Sequence, residues 1–304
     1  MKHINSLLLA VGLFITMEIN AQQPSVTKST EIWLVDITFK DADAHCGLIQ
    51  KITSNEYYDN QPSFSPDGKK MYFASMPDSG QTDIMEYTLA TKITKRLTNT
   101  PESEYQPQPI PGKKGFISVV RVNDEKVQGF YSINYDGTQF ENIAESQDSL
   151  AYYAWMNDTT VGMYVLNGDQ PSLEQFDMVP LQSIVIQEGG FGRCLQKIPG
   201  TDDLSFVMKN EKDDWGIFRF NFEKNDTSFI IKTMPGEEDY CWTPQGYLLM
   251  GSKGKLFLAN PALKEKSSWK EIADLKKNVG NFYRIAINPA GTKVAIVSYD
   301  GAKP

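Results

Sequence analysis

The segment QPSFSPDGKKMYFAS, Gln61 to Ser75, returns in altered form about every 45 residues along a chain of 304. In it an alternating apolar run enters Pro66-Asp67-Gly68, and a second run, Lys70 to Ser75, leaves at once. Pro presets φ for a turn, Asp accepts from nearby backbone N–H groups, and Gly tolerates positive φ, so the unit reads as a tight β-hairpin. The turn position recurs as Pro66, Pro111, Asn157 in place of proline, Pro199, Pro244 and Pro289, at spacings of 45, 46, 42, 45 and 45 residues. A chain punctuated this evenly is confined to repeat architectures, in which each unit is one supersecondary structure stacked on the next.

Each turn is followed by a β-rich run: MYFAS, GFISVV, VGMYVL, LSFVMK, YLLMGS and KVAIVS. Third runs follow as DIMEYTL, GFYSINY, SLEQFDM, WGIFRFNF and KLFLANP, and fourth runs such as FIIKT and WKEIADL close several units. Alternating Val, Ile, Phe and Tyr broken by Asp, Asn and Gly is the strand signature. No stretch carries the periodicity of an amphipathic helix of useful length. Four strands per unit predict an all-β fold, a six-bladed β-propeller. The sixth unit, from Tyr283 to Asp300, holds only two strands, and EIWLVDI (Glu31 to Ile37) and GLIQKIT (Gly47 to Thr53) supply the missing third and fourth. The expected ring therefore closes by pairing both ends of the chain in one blade, which removes exposed sheet edges.

SFSPDGKKMYF resembles the Pro-Asp-Gly repeat of TolB-type six-bladed propellers, a WD-like repeat of bacterial envelope proteins. The resemblance spans roughly residues 31 to 300 and returns in the sixth unit as INPAGTKVAIVS. It implies the fold and, as first partner, an envelope protein. It does not carry over the translocation role of TolB, which has an additional N-terminal domain that residues 22 to 30 are too few to supply.

Residues 1–21 read as a secretory signal: Lys2 gives the positive start, Leu7 to Ile15 the apolar core, and Ile19-Asn20-Ala21 a cleavage site before Gln22. The core is shorter than the ~20 apolar residues a membrane span needs, and no later run approaches that length. The expected organisation is a signal peptide over 1–21 and one propeller over 22–304, in the periplasm or secreted. A net charge of −8 and a pI near 5.0 argue against a nucleic-acid partner. Cys46, Cys194 and Cys241 are an odd number and give no disulfide framework. Cys194 and Cys241 fall on neighbouring innermost strands and read as buried small hydrophobes.

Chemistry is scarce. The chain has two histidines, His3 in the signal and His45 in DADAHC between two predicted strands. With no GxSxG elbow and one His outside the signal, neither a Ser-His-Asp triad nor a His-rich metal site can be assembled. Gly189-Gly190-Phe191-Gly192 lacks GK[ST] and a following helix, so it reads as a loop between blades. Asp41 and Asp43 match only part of a calcium loop. Asp213-Asp214 and Glu237-Glu238-Asp239 read as solvated acidic turns. Asp148-Ser149-Leu150 and Asp158-Thr159-Thr160 resemble the O-glycosylation signal of some Gram-negative exported proteins. No catalytic residue, metal or cofactor is assigned.

The residues entering each innermost strand say more, because in a propeller these connections ring one mouth of the central channel. The candidate binding set is Tyr58, Asp59, Asn60, Glu104, Tyr105, Tyr152, Arg193, Asp239, Tyr240, Tyr283 and Arg284, with Tyr153, Phe191 and Phe282 beside them. Tyrosines cover apolar area and keep a polar tip, which suits recognition; inter-blade packing is the competing account. The leading expectation is a non-catalytic binding or scaffold propeller. Its part-exposed, mixed-charge mouth would take a segment of an envelope or extracellular protein, a peptide, a carbohydrate or another small ligand. The alternative is a carbohydrate-active or hydrolytic propeller enzyme, in which Asp59, Glu104 and Asp239 converge or a metal binds at the mouth. The shortage of histidine generates a first prediction. His45→Ala is expected to leave the thermal midpoint, and any turnover of ester or peptide substrates, unchanged; loss of such turnover would place the chain among Ser-His hydrolases.

Overall fold

The computed structural model describes residues 29–40, 43–77, 80–210 and 214–299; the expected signal segment, Asp41 and Asp213 lie outside them. The chain opens with β1 (Thr30–Lys40) and β2 (Asp43–Lys51). Blade 1 follows as β3 (Asp59–Phe64), β4 (Lys70–Ser75), β5 (Asp83–Thr88) and β6 (Ile93–Arg96). Blade 2 holds β7 (Ser103–Pro109), β8 (Phe116–Val122), β9 (Gln128–Asn134) and β10 (Phe140–Asn142). Blade 3 holds β11 (Leu150–Trp155), β12 (Thr160–Asn167), β13 (Gln170–Met178) and β14 (Leu181–Glu188). Blade 4 holds β15 (Phe191–Lys197), β16 (Leu204–Met208), β17 (Gly216–Asn221) and β18 (Asp226–Lys232). Blade 5 holds β19 (Tyr240–Trp242), β20 (Leu248–Ser252), β21 (Lys255–Ala259) and β22 (Lys270–Asp274). The last strands are β23 (Asn281–Ile287) and β24 (Lys293–Tyr299).

Six four-stranded antiparallel sheets result, and in the sixth the strand order is β2-β1-β24-β23. β1 runs antiparallel to β24 with Thr30 opposite Tyr299 and Asp36 opposite Lys293, so the two ends of the chain close the ring as expected. Trp33 reinforces the joint by donating from Nε1 to Ser298 Oγ at 2.9 Å. Among the described residues the only α-helix is a single turn, Lys276–Val279. His45 lies on β2 rather than in a loop, and is exposed there.

The turns behave as their residues dictate. In the first unit Gly68 N–H bonds the Ser65 carbonyl, Asp67 Oδ1 accepts from Lys69 N–H, and Gly68 sits at φ 68°, where a side chain is strained. In the third unit Asn157 stands in for proline by accepting from the N–H groups of both Thr159 and Thr160. A short polar side chain thus replaces a pre-set φ with local hydrogen bonds.

The core is not one mass at the centre but a series of clusters between facing blades. One joins Phe73 and Met85 of blade 1 to Ala295 and Val297 of the closing blade. Another joins Leu173 of blade 3 to Phe206 of blade 4. Inter-blade contact is reinforced twice by the same polar device. Tyr153 OH and Trp155 Nε1 on β11 both lie 2.8 Å from Ser118 Oγ of blade 2. Tyr240 OH and Trp242 Nε1 on β19 both donate to Ser205 Oγ of blade 4, again at 2.8 Å. Each serine hydroxyl in turn donates to a carbonyl of its own blade's innermost strand, Gln108 and Gln196 respectively. The pattern Tyr-X-Trp appears in the sequence as YAW and YCW. Ser205→Ala removes an acceptor from two donors while hardly changing volume. It is expected to lower stability in urea unfolding by about 1–3 kcal/mol for each donor left without a partner; an unchanged midpoint would show that the serine is not the lock.

Candidate functional site

The innermost strands β3, β7, β11, β15, β19 and β23 enclose a central cavity of about 590 Å³. Five of the six, all but β19, slip register at the same level, as between Asn60 and Ser63, Tyr105 and Gln108, and Phe282 and Arg284. Such bulges re-aim side chains. In blades 1 and 2 the slip is built on Gln61 and Gln106, which occupy positive φ of 55° and 51°. Non-glycine residues rarely adopt that conformation, and its strain concentrates where a site has to be shaped.

The bulges divide the candidate residues. Tyr152, Arg193, Asp239, Tyr240 and Arg284 line the cavity, whereas Tyr58, Asp59, Asn60, Glu104, Tyr105 and Tyr283 lie behind that surface. The expectation of part-exposed tyrosines is corrected at three positions: Tyr105, Tyr240 and Tyr283 are buried, and only Tyr58 and Tyr152 keep partial exposure. Packing accounts for this. The Tyr58 and Tyr105 rings meet edge-on at 6.3 Å, the Tyr283 hydroxyl accepts from Asn60 Nδ2, and Tyr105 OH accepts from Thr82 Oγ1 at 3.2 Å.

The carboxylates also separate. Asp59 is fully buried and accepts from Asn55 Nδ2 at 3.0 Å. Glu104 is fully buried, accepts from Thr98 Oγ1 at 3.0 Å and Thr100 Oγ1 at 2.6 Å, and lies 3.5 Å from Arg121 Nε. Asp239 alone faces the channel. Arg193 Nη2 donates to its Oδ2 at 3.2 Å, and Arg284 Nε lies 3.4 Å from its Oδ1. Glu238 takes Lys209 Nζ at 2.6 Å and the Arg193 backbone N–H at 3.2 Å. Glu238 and Asp239 are therefore not the solvated acidic turn that the sequence implies but the anchor of two guanidinium groups. Burial opposes the charge of Arg193 and Arg284, and Asp239 more than offsets it, so both are held protonated well above the usual range.

Around the rim these groups form a nearly continuous circuit. Arg284 Nη1 donates to Asn60 Oδ1 at 2.9 Å. Gln61 Oε1 accepts from the Gln106 N–H at 2.8 Å, and Gln106 Nε2 reaches the Tyr153 carbonyl at 2.7 Å. A tilted ring contact between Tyr164 and Phe191, centroids 4.9 Å apart, joins blades 3 and 4. The Arg193–Asp239–Arg284 bridge then completes the ring.

Further along, the cavity is lined by residues that sequence reasoning missed: Gln61, Gln106, Gln108 and Gln196, then Lys197, Trp155 and Trp242. The signal was present in the gap-free match of QPSFSP to QPQPIP, which repeats a Gln-Pro pair where a strand needs neither residue. The lining carries three cations, Arg193, Lys197 and Arg284, against one carboxylate, Asp239, in a chain of net charge −8, with Lys197 also paired at 2.8 Å to Asp202 outside the lining. Among the described residues no group of three or more His, Cys, Asp or Glu is placed to hold a metal ion. Cys194 and Cys241 line the cavity as free thiols, and burial pushes Cys194 up to about 12.

A closed ring of six four-stranded blades around a polar channel defines the chain as a six-bladed β-propeller. Its fold is TolB-like. A TolB structure from Acinetobacter baumannii superposes with a TM-score of 0.58 at 10% identity, over 88% of this chain and 63% of that one. A protein described as a TolB from Agrobacterium tumefaciens gives a TM-score of 0.67 at 11% identity, over 90% of this chain and 99% of that one. An oligogalacturonate lyase from Vibrio parahaemolyticus gives 0.55 at 13% identity, over 82% and 80%. No family model matches the sequence, and no curated protein does. This chain thus spans less than two thirds of the Acinetobacter baumannii TolB. No helix among the described residues is long and apolar enough to cross a membrane.

The buried carboxylates set a pH dependence. Burial raises Asp59 from 3.8 to about 6 and Glu104 from 4.5 to about 7. A carboxylate whose folded value is raised stabilises the fold below its unfolded value, and that contribution is lost as pH climbs to the folded value. For Glu104 the loss falls between pH 4.5 and about 7. Glu104→Gln is expected to remove this fall, on the order of 3 kcal/mol. Urea midpoints of wild type and variant between pH 4 and 8 test it; parallel curves would sink the assignment.

Proposed function

We propose that this chain is an exported, non-catalytic binding propeller whose central channel takes an anionic segment of an envelope or extracellular protein, or a small anionic ligand. The observation that carries the reading is the excess of cations on the channel wall of an acidic chain. An electropositive cleft in a negatively charged molecule concentrates anions where low-dielectric walls focus the field. The volume of about 590 Å³ lies within the range of ligand pockets. Likeness to TolB structures is in keeping with a binding role, and the character of residues 1–21 supports export to the periplasm or outside the cell.

The second reading, a carbohydrate-active propeller enzyme, draws support from likeness to the oligogalacturonate lyase. It asks for converging carboxylates, and Asp59, Glu104 and Asp239 sit in separate networks. Turnover of an acidic oligosaccharide would establish that reading instead.

Photocrosslinking tests the channel. A benzoylphenylalanine placed at Gln108 or Gln196 is expected to capture adducts in envelope extract, and one at Lys95, on the exposed outermost strand β6, is not. Adducts should fade with added salt, as screening weakens the attraction. Equal capture from Lys95, or none from the channel positions, would overturn the proposal. Recovery of a mature chain beginning at Gln22 tests export; retention of residues 1–21 on the cytoplasmic fraction would refute it.

A further inference from the structure

We infer that the channel ligand is an amide-linked carboxylate, the chemistry of a peptide C-terminus. Its carboxylate would sit at Arg193 and Arg284 and its apolar part toward Trp155 and Trp242. The inference rests on the channel being the binding site, and four observations narrow the ligand.

The first is the arginine pair. Asp239 pairs with both guanidinium groups, Glu238 lies 3.4 Å from Arg193 Nε, and neither Arg193 Nη1 nor Arg284 Nη2 donates to any of the described residues. With Lys209 held by Glu238 at 2.6 Å, three cations and two carboxylates leave a single positive charge there. A carboxylate neutralises it, whereas a phosphomonoester would bring excess charge into a partly desolvated site. The planar fork of a guanidinium also suits carboxylate geometry.

The second is the pair of glutamines on the wall. Gln108 Nε2 is committed to the Tyr153 carbonyl at 2.9 Å, and Gln196 Nε2 points to Cys194 Sγ at 3.9 Å. Their carbonyl oxygens accept from none of the described residues. They are acceptors on the cavity wall, and a backbone N–H of a peptide is a donor that satisfies them.

The third is the proline content. Pro62, Pro66, Pro107, Pro109, Pro111 and Pro289 all line the cavity. Proline offers no backbone N–H. Away from the arginines and Lys197 these segments offer little backbone donation and much apolar ring surface, which suits an apolar side chain. The fourth observation is the apolar lining itself, with Trp155, Trp242, Phe64 and Ile287 on the strand segments furthest along from Arg193 and Arg284. A carboxylate, an N–H and an apolar group, in that order, describe the last residues of a peptide. They also describe a free N-acylamino acid.

The test uses fluorescein-labelled Gly-Ala-Leu-Phe with a free C-terminal carboxylate, the same peptide as its C-terminal amide, and unlabelled N-acetyl-leucine as competitor. Binding is read by anisotropy at low salt on the full mature chain. The free acid is expected to bind at least about tenfold tighter than the amide, the scale of one charge-assisted hydrogen bond lost. Competition by N-acetyl-leucine at concentrations near the peptide's own Kd would point to a free acylamino acid. Competition only at far higher concentrations would point to a peptide terminus. Arg284→Gln should abolish the preference for acid over amide; if it fails to fold by thermal melt, Arg193→Gln serves in its place. Equal binding of acid and amide overturns the carboxylate assignment. No binding of either form, with crosslinking from Gln108 still present, overturns the inference and leaves the channel as the binding site. Loss of both together overturns the channel reading itself.

Discussion

Everything in this molecule hangs on how one blade meets the next at the inner rim. A four-stranded sheet has two faces and two edges to protect, and here each face is covered by a neighbouring blade rather than by helices. The rim is where six such sheets come closest, and polar side chains hold it. Arg284 reaches Asn60, Gln61 meets Gln106, Gln106 meets Tyr153, and Arg193 and Arg284 share Asp239. These bonds do two things at once. They satisfy backbone and side-chain groups that the bulges expose, and they orient the groups that remain free toward the channel.

That double use explains why the site is charged against the grain of the chain. A guanidinium group buried alone is costly, so it needs a carboxylate; Asp239 pairs with both arginines, Glu238 adds to it at Arg193, and the channel stays positive. The same logic separates Asp239 from Asp59 and Glu104. Asp239 faces arginines, whereas burial raises the affinity of Asp59 and Glu104 for a proton by more than their hydroxyl and amide donors lower it.

Much of the fold could be read in advance because it repeats. The turn positions Pro66 through Pro289 locate the blades, and the half-units at Glu31 to Ile37 and Tyr283 to Asp300 announce the closing one. The site was harder to read, for a geometric reason. The side-chain period of a strand is two, so one extra residue sends every later side chain to the opposite face. Bulges after Asn60, Tyr105 and Phe282 break the alternation, so that Tyr283 falls within a slip and into packing, and the glutamines that follow Asn60 and Tyr105 come onto the wall. The repeated Gln-Pro pair marks a break in the strand at Gln61 and Gln106, but not the positive φ there or the direction in which the side chains are turned. Arg193, Asp239 and Arg284 were legible as charges near a mouth, but their shared bridge depends on blades 4, 5 and 6 meeting.

The pairing of β1 with β24 also carries a kinetic meaning. Trp33 and Ser298, hydrogen-bonded in the finished ring, are 265 residues apart, so β1 is made first and finds its partner last. During synthesis its inner hydrogen-bonding edge stays unpaired until β24 arrives, and Val35, which packs toward blade 5, stays uncovered until that blade is made. Loop-closure entropy grows only slowly with length, so the contact is not forbidden, but it is deferred. A newly made chain therefore passes through an interval in which the arc of blades is open at a known seam. Any chaperone that guards it would find its binding site there, on a surface that the completed molecule no longer shows.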